Sequence, residues 1–259
     1  MNLIKAVILC GGLGTRFSEE TLFKPKPMIE IGKYPILLNI VKIYNDYNIS
    51  DFIIATGYKH EYINHYFNKV FPKISNQNVK KKKFSKFTVY EFNNFNITIY
   101  FTGNNSLTGG RIKRLNKILK KEDNFFCTYG DGVSDINIKK LYNFHIKHNK
   151  IATLTSVRPP ARFGRLKING NLVTSFSEKP QLSEGRINGG FFVLKKEIFN
   201  LIKGDNVNFE KEVLPKIAKR KQLTSYKHNA YWRCMDTLRD KLNIEKDIKS
   251  KKYKIFYEK

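Results

Sequence analysis

The sequence predicts an α/β fold, a mostly parallel mixed sheet flanked by helices, and three observations lead there. Short apolar runs of about four to eight residues alternate along the chain with longer amphipathic stretches. The β-α-β-α order that results places helices on both faces of a sheet. Hydrophobic residues make up 41% of the 259, enough for a sizeable core.

The elements follow in order. Ile4 to Cys10 reads as a buried strand. Pro35 to Tyr47 reads as a helix with proline at its start. Asp51 to Thr56 is a strand and Glu61 to Phe71 a helix. Phe87 to Phe92 and Ile97 to Thr102 read as strands. Arg111 to Lys121 reads as a helix with Ile112, Leu115, Ile118 and Leu119 on one face. Phe125 to Tyr129 is a strand ending at Gly130–Asp131–Gly132, followed by a helix over Ile138 to His148 and a strand over Ile151 to Val157. The second half is more mixed: strands at Arg165–Ile168, Leu172–Ser177 and Phe191–Leu194, a helix at Phe209–Lys219, and Tyr231–Met235 leading into a last helix from Thr237. With no repeat, low-complexity linker or clean boundary, residues 1–259 are expected to form a single domain. Ligands of such sheets sit beyond the carboxyl ends of the strands, which points to the loops after Cys10, Thr102 and Tyr129.

The apolar run Ala6–Leu9 is too short for a signal peptide or a membrane span, and no later stretch approaches the required length, so a soluble cytoplasmic protein is expected. Three cysteines (Cys10, Cys127 and Cys234) fit neither a disulfide framework nor a zinc pattern, and read as small buried hydrophobes. Cys234 stands two residues before Asp236 and so close to a candidate site. The formal net charge is +26, a field that attracts anions. Lysine is abundant everywhere, and the one dense run, Lys80 to Lys83 continued by Lys86, carries no base-stacking pattern. It reads as a solvated loop or hairpin tip, with nucleic acid the lesser reading. Of the histidines, His145 and His148 have helical spacing, where surface or capping roles outweigh a zinc pair; His60, His65 and His228 lack partners in sequence.

Two segments carry chemistry. Gly11–Gly12–Leu13–Gly14–Thr15–Arg16 follows a buried strand. Glycines permit positive φ and close approach to a ligand, successive N–H groups make an anion nest, and Arg16 adds a forked donor. A mere tight turn explains the run less well. It is neither a dinucleotide fingerprint, because Phe17 stands at the third glycine position, nor a P-loop, because no Gly-Lys-Ser/Thr closes it. Lys24–Pro25–Lys26–Pro27–Met28 lies just beyond. Its prolines are expected to hold the segment extended and so to place Lys26 stiffly, as a transferring phosphoryl group requires.

From Gly11 to Pro27 the sequence resembles the sugar-1-phosphate nucleotidylyltransferase family, whose opening is Gly-Gly-x-Gly-Thr-Arg followed by Pro-Lys-Pro. Ser18–Glu19–Glu20–Thr21, Thr108–Gly109–Gly110–Arg111, Tyr129–Gly130–Asp131–Gly132, Glu178–Lys179–Pro180, Ile187–Asn188–Gly189–Gly190 and Met235–Asp236–Thr237–Leu238–Arg239–Asp240 narrow the resemblance to its glucose-1-phosphate cytidylyltransferase branch. This implies a Rossmann-like nucleotidyltransferase fold, with a nucleotide-binding half over about 1–135 and a sugar-phosphate half over about 136–259. It implies Mg²⁺ as cofactor, CTP and glucose 1-phosphate as substrates, and CDP-glucose for the deoxysugars of surface polysaccharide as product. A homo-oligomer is implied, a hexamer among the options, with no membrane partner.

The resemblance also distributes roles. Asp131 and Asp236 would ligate Mg²⁺, oxygen donors being what it prefers; the competing readings are a strand-end turn for Asp131 and a helix cap for Asp236. Arg16 would hold the leaving β,γ-phosphates and Lys26 the α-phosphate. Lys179, otherwise one surface lysine among many, would bind the sugar phosphate, and Glu178 and Asn188 the sugar hydroxyls. Gly189 and Gly190 would let the sugar lie against backbone, the competing reading being a β-bulge. Ser106 and Arg111 would contact the nucleotide, with a solvated first-turn residue as the alternative for Arg111. Leu9, Cys10, Gly12, Leu13 and Gly130 would shape the pocket for base and ribose, beside the phosphate loop of Gly11, Gly14 and Thr15. The family's Gly-Gly-Lys-Pro turn reads Gly32–Lys33–Tyr34–Pro35 here, and Asn76 to Tyr90, a region associated with subunit contacts, matches poorly. Two rivals stand beside cytidylyl transfer: the same chemistry with UTP, dTTP or another sugar, and a non-enzymatic nucleotide- or RNA-binding relative.

Overall fold

The computed structural model describes residues 4–14, 21–159, 165–177 and 185–254. In chain order the strands are β1 (Ala6–Cys10), β2 (Glu30–Ile31), β3 (Tyr34–Pro35), β4 (Asp51–Thr56), β5 (Lys80–Lys83), β6 (Phe87–Glu91), β7 (Asn96–Phe101), β8 (Asn124–Tyr129), β9 (Gly132–Ser134), β10 (Ala152–Val157), β11 (Arg165–Asn169), β12 (Leu172–Ser177), β13 (Ile187–Asn188), β14 (Phe192–Lys195), β15 (Leu223–Lys227) and β16 (Trp232–Cys234). Ten of these share one mixed sheet. Its centre is parallel: β1 lies between β4 and β8, and β4 pairs with β7. Antiparallel β14 joins β8 to β10, so strands from both halves of the chain belong to one sheet.

The burial of β1 shows why the centre is parallel and apolar. Ala6, Ile8 and Cys10 face one core, with Leu37, Val41 and Tyr44 of the helix Ile36–Asn45. Val7 and Leu9 face a second core, with Ile112, Leu115 and Leu119. Both faces of the strand are covered, so every position must be apolar, at roughly 1.5–3 kcal/mol for each large side chain removed from water. This frame fixes the carboxyl ends of β1, β4 and β8 on one edge of the sheet.

Several expectations need correction. Of the two readings of Lys80–Lys83 the hairpin is the nearer: the segment is a hairpin's first arm and the sheet's outermost strand, antiparallel to β6, with the turn closed by Phe84 N–H donating to Phe87 O at 2.8 Å. All four lysines are exposed, and charges along an edge discourage pairing with another chain. The helix expected from Arg111 starts earlier, at Thr108, and breaks at Leu115 into Thr108–Arg114 and Asn116–Leu119. Its early start was hidden by Gly109 and Gly110, poor helix formers that sit here because a Cβ would come within 2.7 Å of Val207 O and 2.1 Å of Asp205 O. β15 was not expected at all, since its alternation is polar and its burial only partial. Gly32, at φ +66°, turns β2 into β3, so the altered Gly32–Lys33–Tyr34–Pro35 segment still makes a tight hairpin. Among the described residues no helix is long and apolar enough to cross a membrane.

His145 is neither a surface residue nor a cap. It is fully buried, with Nδ1 at 2.8 Å from Thr153 Oγ1 and Nε2 at 3.0 Å from Asn124 Oδ1. His148 alone is exposed, bonded to Phe144 O at 2.8 Å. His228 is also buried, within 3.1 Å of Ser134 Oγ and 3.0 Å of Asp135 Oδ1. Burial, with Lys195 nearby, pushes His145 from 6.5 down to about 4. Between those values the unfolded chain takes a proton that the folded chain refuses. Stability from this group is therefore complete above pH 6.5 and lost as pH falls toward 4. Denaturant titrations should show about 2 kcal/mol lost between pH 7 and pH 5 from this residue. The His145→Gln variant should show a correspondingly shallower pH slope; an identical slope would refute the account.

Candidate active site

A cavity of about 420 Å³ opens at the carboxyl ends of β1 and β8. Cys10, Gly11, Gly12 and Gly14 form one wall, Lys26 and Pro27 another, and the loop Ser106–Thr108 with Arg111 a third; Gly130, Asp131 and Asp236 complete it. This is the place that strand-end reasoning indicated.

The wall after β1 rests on Arg111. Its guanidinium donates through one terminal nitrogen to Thr56 O (3.1 Å), Thr102 Oγ1 (2.8 Å) and Gly103 O (2.7 Å), and through the other to Gly11 O (2.7 Å) and Asn104 O (3.3 Å). One side chain thus ties together the segments leaving β1, β4 and β7. It is 4% exposed, so the alternative of a solvated first-turn residue is excluded. Burial pulls its pKa below the ordinary value, yet a guanidinium keeps its proton at neutral pH. A fixed positive charge therefore lies beneath the glycine loop. Gly11 is required by this packing: a Cβ there would lie 2.1 Å from the guanidinium carbon. Of Gly11, Gly12 and Gly14, only Gly14 takes positive φ, at +68°.

Lys26 is placed differently from expectation. Pro25 is extended, but Lys26–Met28 closes a 3₁₀ turn in which Met28 N–H donates to Pro25 O at 2.8 Å. The turn directs the ammonium to Asp131 Oδ2 at 2.7 Å and Asp236 Oδ1 at 2.5 Å. Gly130 admits this segment, since a Cβ would lie 2.8 Å from both Pro27 Cγ and Cys10 Sγ. Burial alone would lower the lysine's pKa; Asp131 and Asp236 outweigh it and push the value up to about 12. Lys26 is a permanent cation at neutral pH.

Asp131 and Asp236 lie 105 residues apart in sequence and meet because β16 pairs with β9, Cys234 opposite Gly132, and Met235 N–H donates to Asp131 O at 2.9 Å. The cap of the helix Leu238–Lys249 is Thr237, which exchanges hydrogen bonds with Asp240 in a capping box. Asp236 is therefore not the cap, and its carboxylate turns to Lys26 instead. Ligand atoms of Asp131, Asp236 and Cys234 lie within 4.8 Å of one another. Burial and the neighbouring Asp131 push the Cys234 thiol up. The donors on offer are hard carboxylate oxygens, a set that fits a hard divalent cation such as Mg²⁺.

The structure brings Leu9, Cys10, Gly11, Gly12, Gly14, Lys26, Ser106, Arg111, Gly130, Asp131 and Asp236 around one cavity. Leu13 is 58% exposed and does not line it. Neither Asn188 nor Gly189 lines it, but Asn188 Nδ2 donates to the lining residue Tyr129 at Oη, 3.1 Å away. Gly189–Phe191 interrupts the strand that runs along β10, as the bulge reading had it, with Gly190 and Phe191 at positive φ. Thr15, Arg16, Glu178 and Lys179 fall outside the described residues. Sequence reasoning missed Tyr129, Asn208 and Glu210. Tyr129 and Asn208 line the cavity, and Glu210 Oε1 accepts from Tyr129 Oη at 2.7 Å. Of the three only Tyr129 stood in a motif, Tyr129–Gly130–Asp131–Gly132, where it was given no role.

Residues 5–251 match the family model described as nucleotidyl transferase. The chain belongs to this family. A glucose-1-phosphate cytidylyltransferase of Salmonella typhimurium strain LT2 is 46% identical over 93% of this chain and 95% of its own length. A mannose-1-phosphate guanyltransferase of Candida albicans is 30% identical over 88% of this chain and 60% of its own length. Among solved structures, HddC from Yersinia pseudotuberculosis superposes with a TM-score of 0.70, at 24% identity, over 95% of this chain and 99% of that one, a likeness of fold. In this nucleotidyl transferase the mixed sheet, the glycine loop and the paired aspartates thus occur on a fold shared well beyond its sequence relatives.

Arg111→Lys and Gly57→Ala test the strand-end tie. Lysine cannot reach the carbonyls that the planar fork spans, and a Cβ at position 57 would sit 2.3 Å from the guanidinium. Each change should cost about 2–4 kcal/mol by urea unfolding. A loss below about 0.5 kcal/mol would show that the loops hold without Arg111.

Proposed function

We propose that this nucleotidyltransferase moves a cytidylyl group from CTP to α-D-glucose 1-phosphate with Mg²⁺, giving CDP-glucose and pyrophosphate. The observation that carries the chemistry is Lys26, a permanent cation held between Asp131 and Asp236 at the wall of a glycine-lined cavity. The choice of base and sugar rests on the 46% identity to the Salmonella enzyme, which extends over nearly the whole of both chains.

The reaction needs one bond made and one broken. An oxygen of the sugar phosphate attacks the α-phosphorus in line, and the bond from that phosphorus to the β-phosphate bridging oxygen breaks, releasing pyrophosphate. A phosphate monoester is already largely ionised near neutral pH, so no general base is required. The glycine loop offers backbone N–H groups to the triphosphate, with the Arg111 charge behind it. Lys26 meets the negative charge at the α-phosphate. Asp131 and Asp236 would hold Mg²⁺, which supplies charge neutralisation at the phosphates when bound. Arg16 is assigned to the leaving β,γ-phosphates and Lys179 to the sugar phosphate.

Pyrophosphate release by the purified protein with Mg²⁺ and glucose 1-phosphate should be fastest with CTP when CTP, UTP, dTTP, ATP and GTP are offered separately. Dominance of another nucleotide would overturn the base assignment and keep the mechanism. Asp131→Asn and Asp236→Asn should each lower kcat by at least about 100-fold while Tm stays close to that of the parent. Normal turnover in either would remove that residue from the metal site. Lys179→Ala should raise KM for glucose 1-phosphate by about tenfold or more, with KM for CTP little changed. An unchanged sugar KM would contradict its assignment.

A further inference from the structure

Glu210 belongs to none of the sequence motifs and stands on a one-turn π-helical segment, Phe209–Val213, next to the cavity residue Asn208. Such turns are uncommon and recur at functional sites. Its half-buried carboxylate accepts two hydrogen bonds from opposite sides of the site. Tyr129 Oη donates to Oε1 at 2.7 Å, and Thr108 Oγ1 donates to Oε2 at 2.6 Å. Thr108 opens the helix that follows the loop assigned to the nucleotide, and Tyr129 is the last residue of β8, immediately before Gly130–Asp131.

The direction of these bonds has a consequence for Asn188. An ionised carboxylate can only accept, so the single hydroxyl hydrogen of Tyr129 goes to Glu210. The phenol oxygen is then left with acceptor capacity, and it receives Asn188 Nδ2 at 3.1 Å. Asn188 Oδ1 meanwhile accepts from Gly190 N–H at 3.0 Å. Both ends of the amide are thereby fixed and it cannot flip. One N–H of the Nδ2 group remains beyond the bond to Tyr129. We propose that Glu210 is a positioning and specificity-determining residue: through Tyr129 it locks the Asn188 amide so that an N–H donor, rather than a carbonyl, faces the sugar. The ligand so recognised is a sugar hydroxyl acting as acceptor. This rests on the reading of Asn188 as a sugar ligand.

The two arms of Glu210 are unequal. The nucleotide loop has other supports: Leu107 N–H donates to Asp205 O at 2.9 Å, Gly109 N–H donates to Val207 O at 3.0 Å, and Arg114 Nε donates to Asp205 Oδ1 at 2.8 Å. Arg111 supports it too. Among the described residues, Glu210 is the acceptor that sets the direction of the Tyr129 hydroxyl. Loss of the carboxylate should therefore be felt mainly on the sugar side.

The test is a set of steady-state measurements in which KM for each substrate and kcat are separated, using the nucleotide and sugar phosphate that the parent enzyme turns over fastest. Glu210→Leu keeps side-chain bulk without an acceptor. It should raise KM for the sugar phosphate by about tenfold or more and KM for the nucleotide by less than about threefold. Tyr129→Phe should do the same, and the double variant should be no worse than either alone, because the two residues act in series. Glu210→Gln, which retains an oxygen that can accept from Tyr129, should recover most of the loss. Multiplying effects in the double variant, or equal rises in both KM values, would overturn the proposal, as would a fall in Tm with both KM values unchanged. A parent enzyme inactive with every pair would instead overturn the proposed function beneath it, while an active parent with unaltered variants overturns only the role of Glu210.

Discussion

The Arg111 guanidinium is the constraint on which the site depends. Three parallel strands deliver their carboxyl ends to one edge of the sheet, where the carbonyls of Gly11, Thr56 and Gly103 converge on one buried space. A buried carbonyl without a donor is costly, and water cannot be admitted freely under a loop that must hold a shape. One planar side chain with several fixed donors satisfies carbonyls from the segments after β1, β4 and β7 together. The same group supplies a positive charge with no carboxylate among these partners, so its field is available to a phosphate chain. Gly11 and Gly57 follow from this arrangement, because the guanidinium occupies the space that their side chains would take.

On this edge the second electrostatic element, Lys26 with Asp131 and Asp236, brings opposite charges together at the wall of a cavity that would hold a polyphosphate. The two carboxylates alone would repel one another, and the ammonium between them relieves that repulsion. The same pair of carboxylates suits a hard cation, so ammonium and metal are complementary ways of balancing one acidic pair. A site of this kind is suited to stabilising charge and orienting reactants.

Much of the fold could be read in the residues. Ala6–Cys10 is apolar at every position and Phe125–Tyr129 at all but Thr128, a pattern that strands covered on both faces require. The order Gly-Gly-Leu-Gly after such a run, then a proline-flanked lysine, marked two walls of the cavity from sequence alone, because glycine and proline constrain the backbone locally. Where local signals were weak or misleading the reading failed: β5 carries four lysines and looked like a solvated loop or hairpin tip, β15 is only partly buried, and the glycines at 109 and 110 masked the start of a helix.

The sequence by itself determined the class of sheet, the position of the glycine loop and the identity of the acidic residues, since each is written in neighbouring residues. Tertiary structure decided what those residues do to one another. It made Arg111 a buried tie, because carbonyls from three separate strands converge on it. It made Asp236 a partner of Lys26 instead of a helix cap, because Thr237 and Asp240 already close that helix. It set Glu210 between the two sides of the cavity, 81 residues from Tyr129 and 102 from Thr108. Hydrogen bonds over such separations leave no periodicity or spacing in the chain, so only the packed sheet could bring them together.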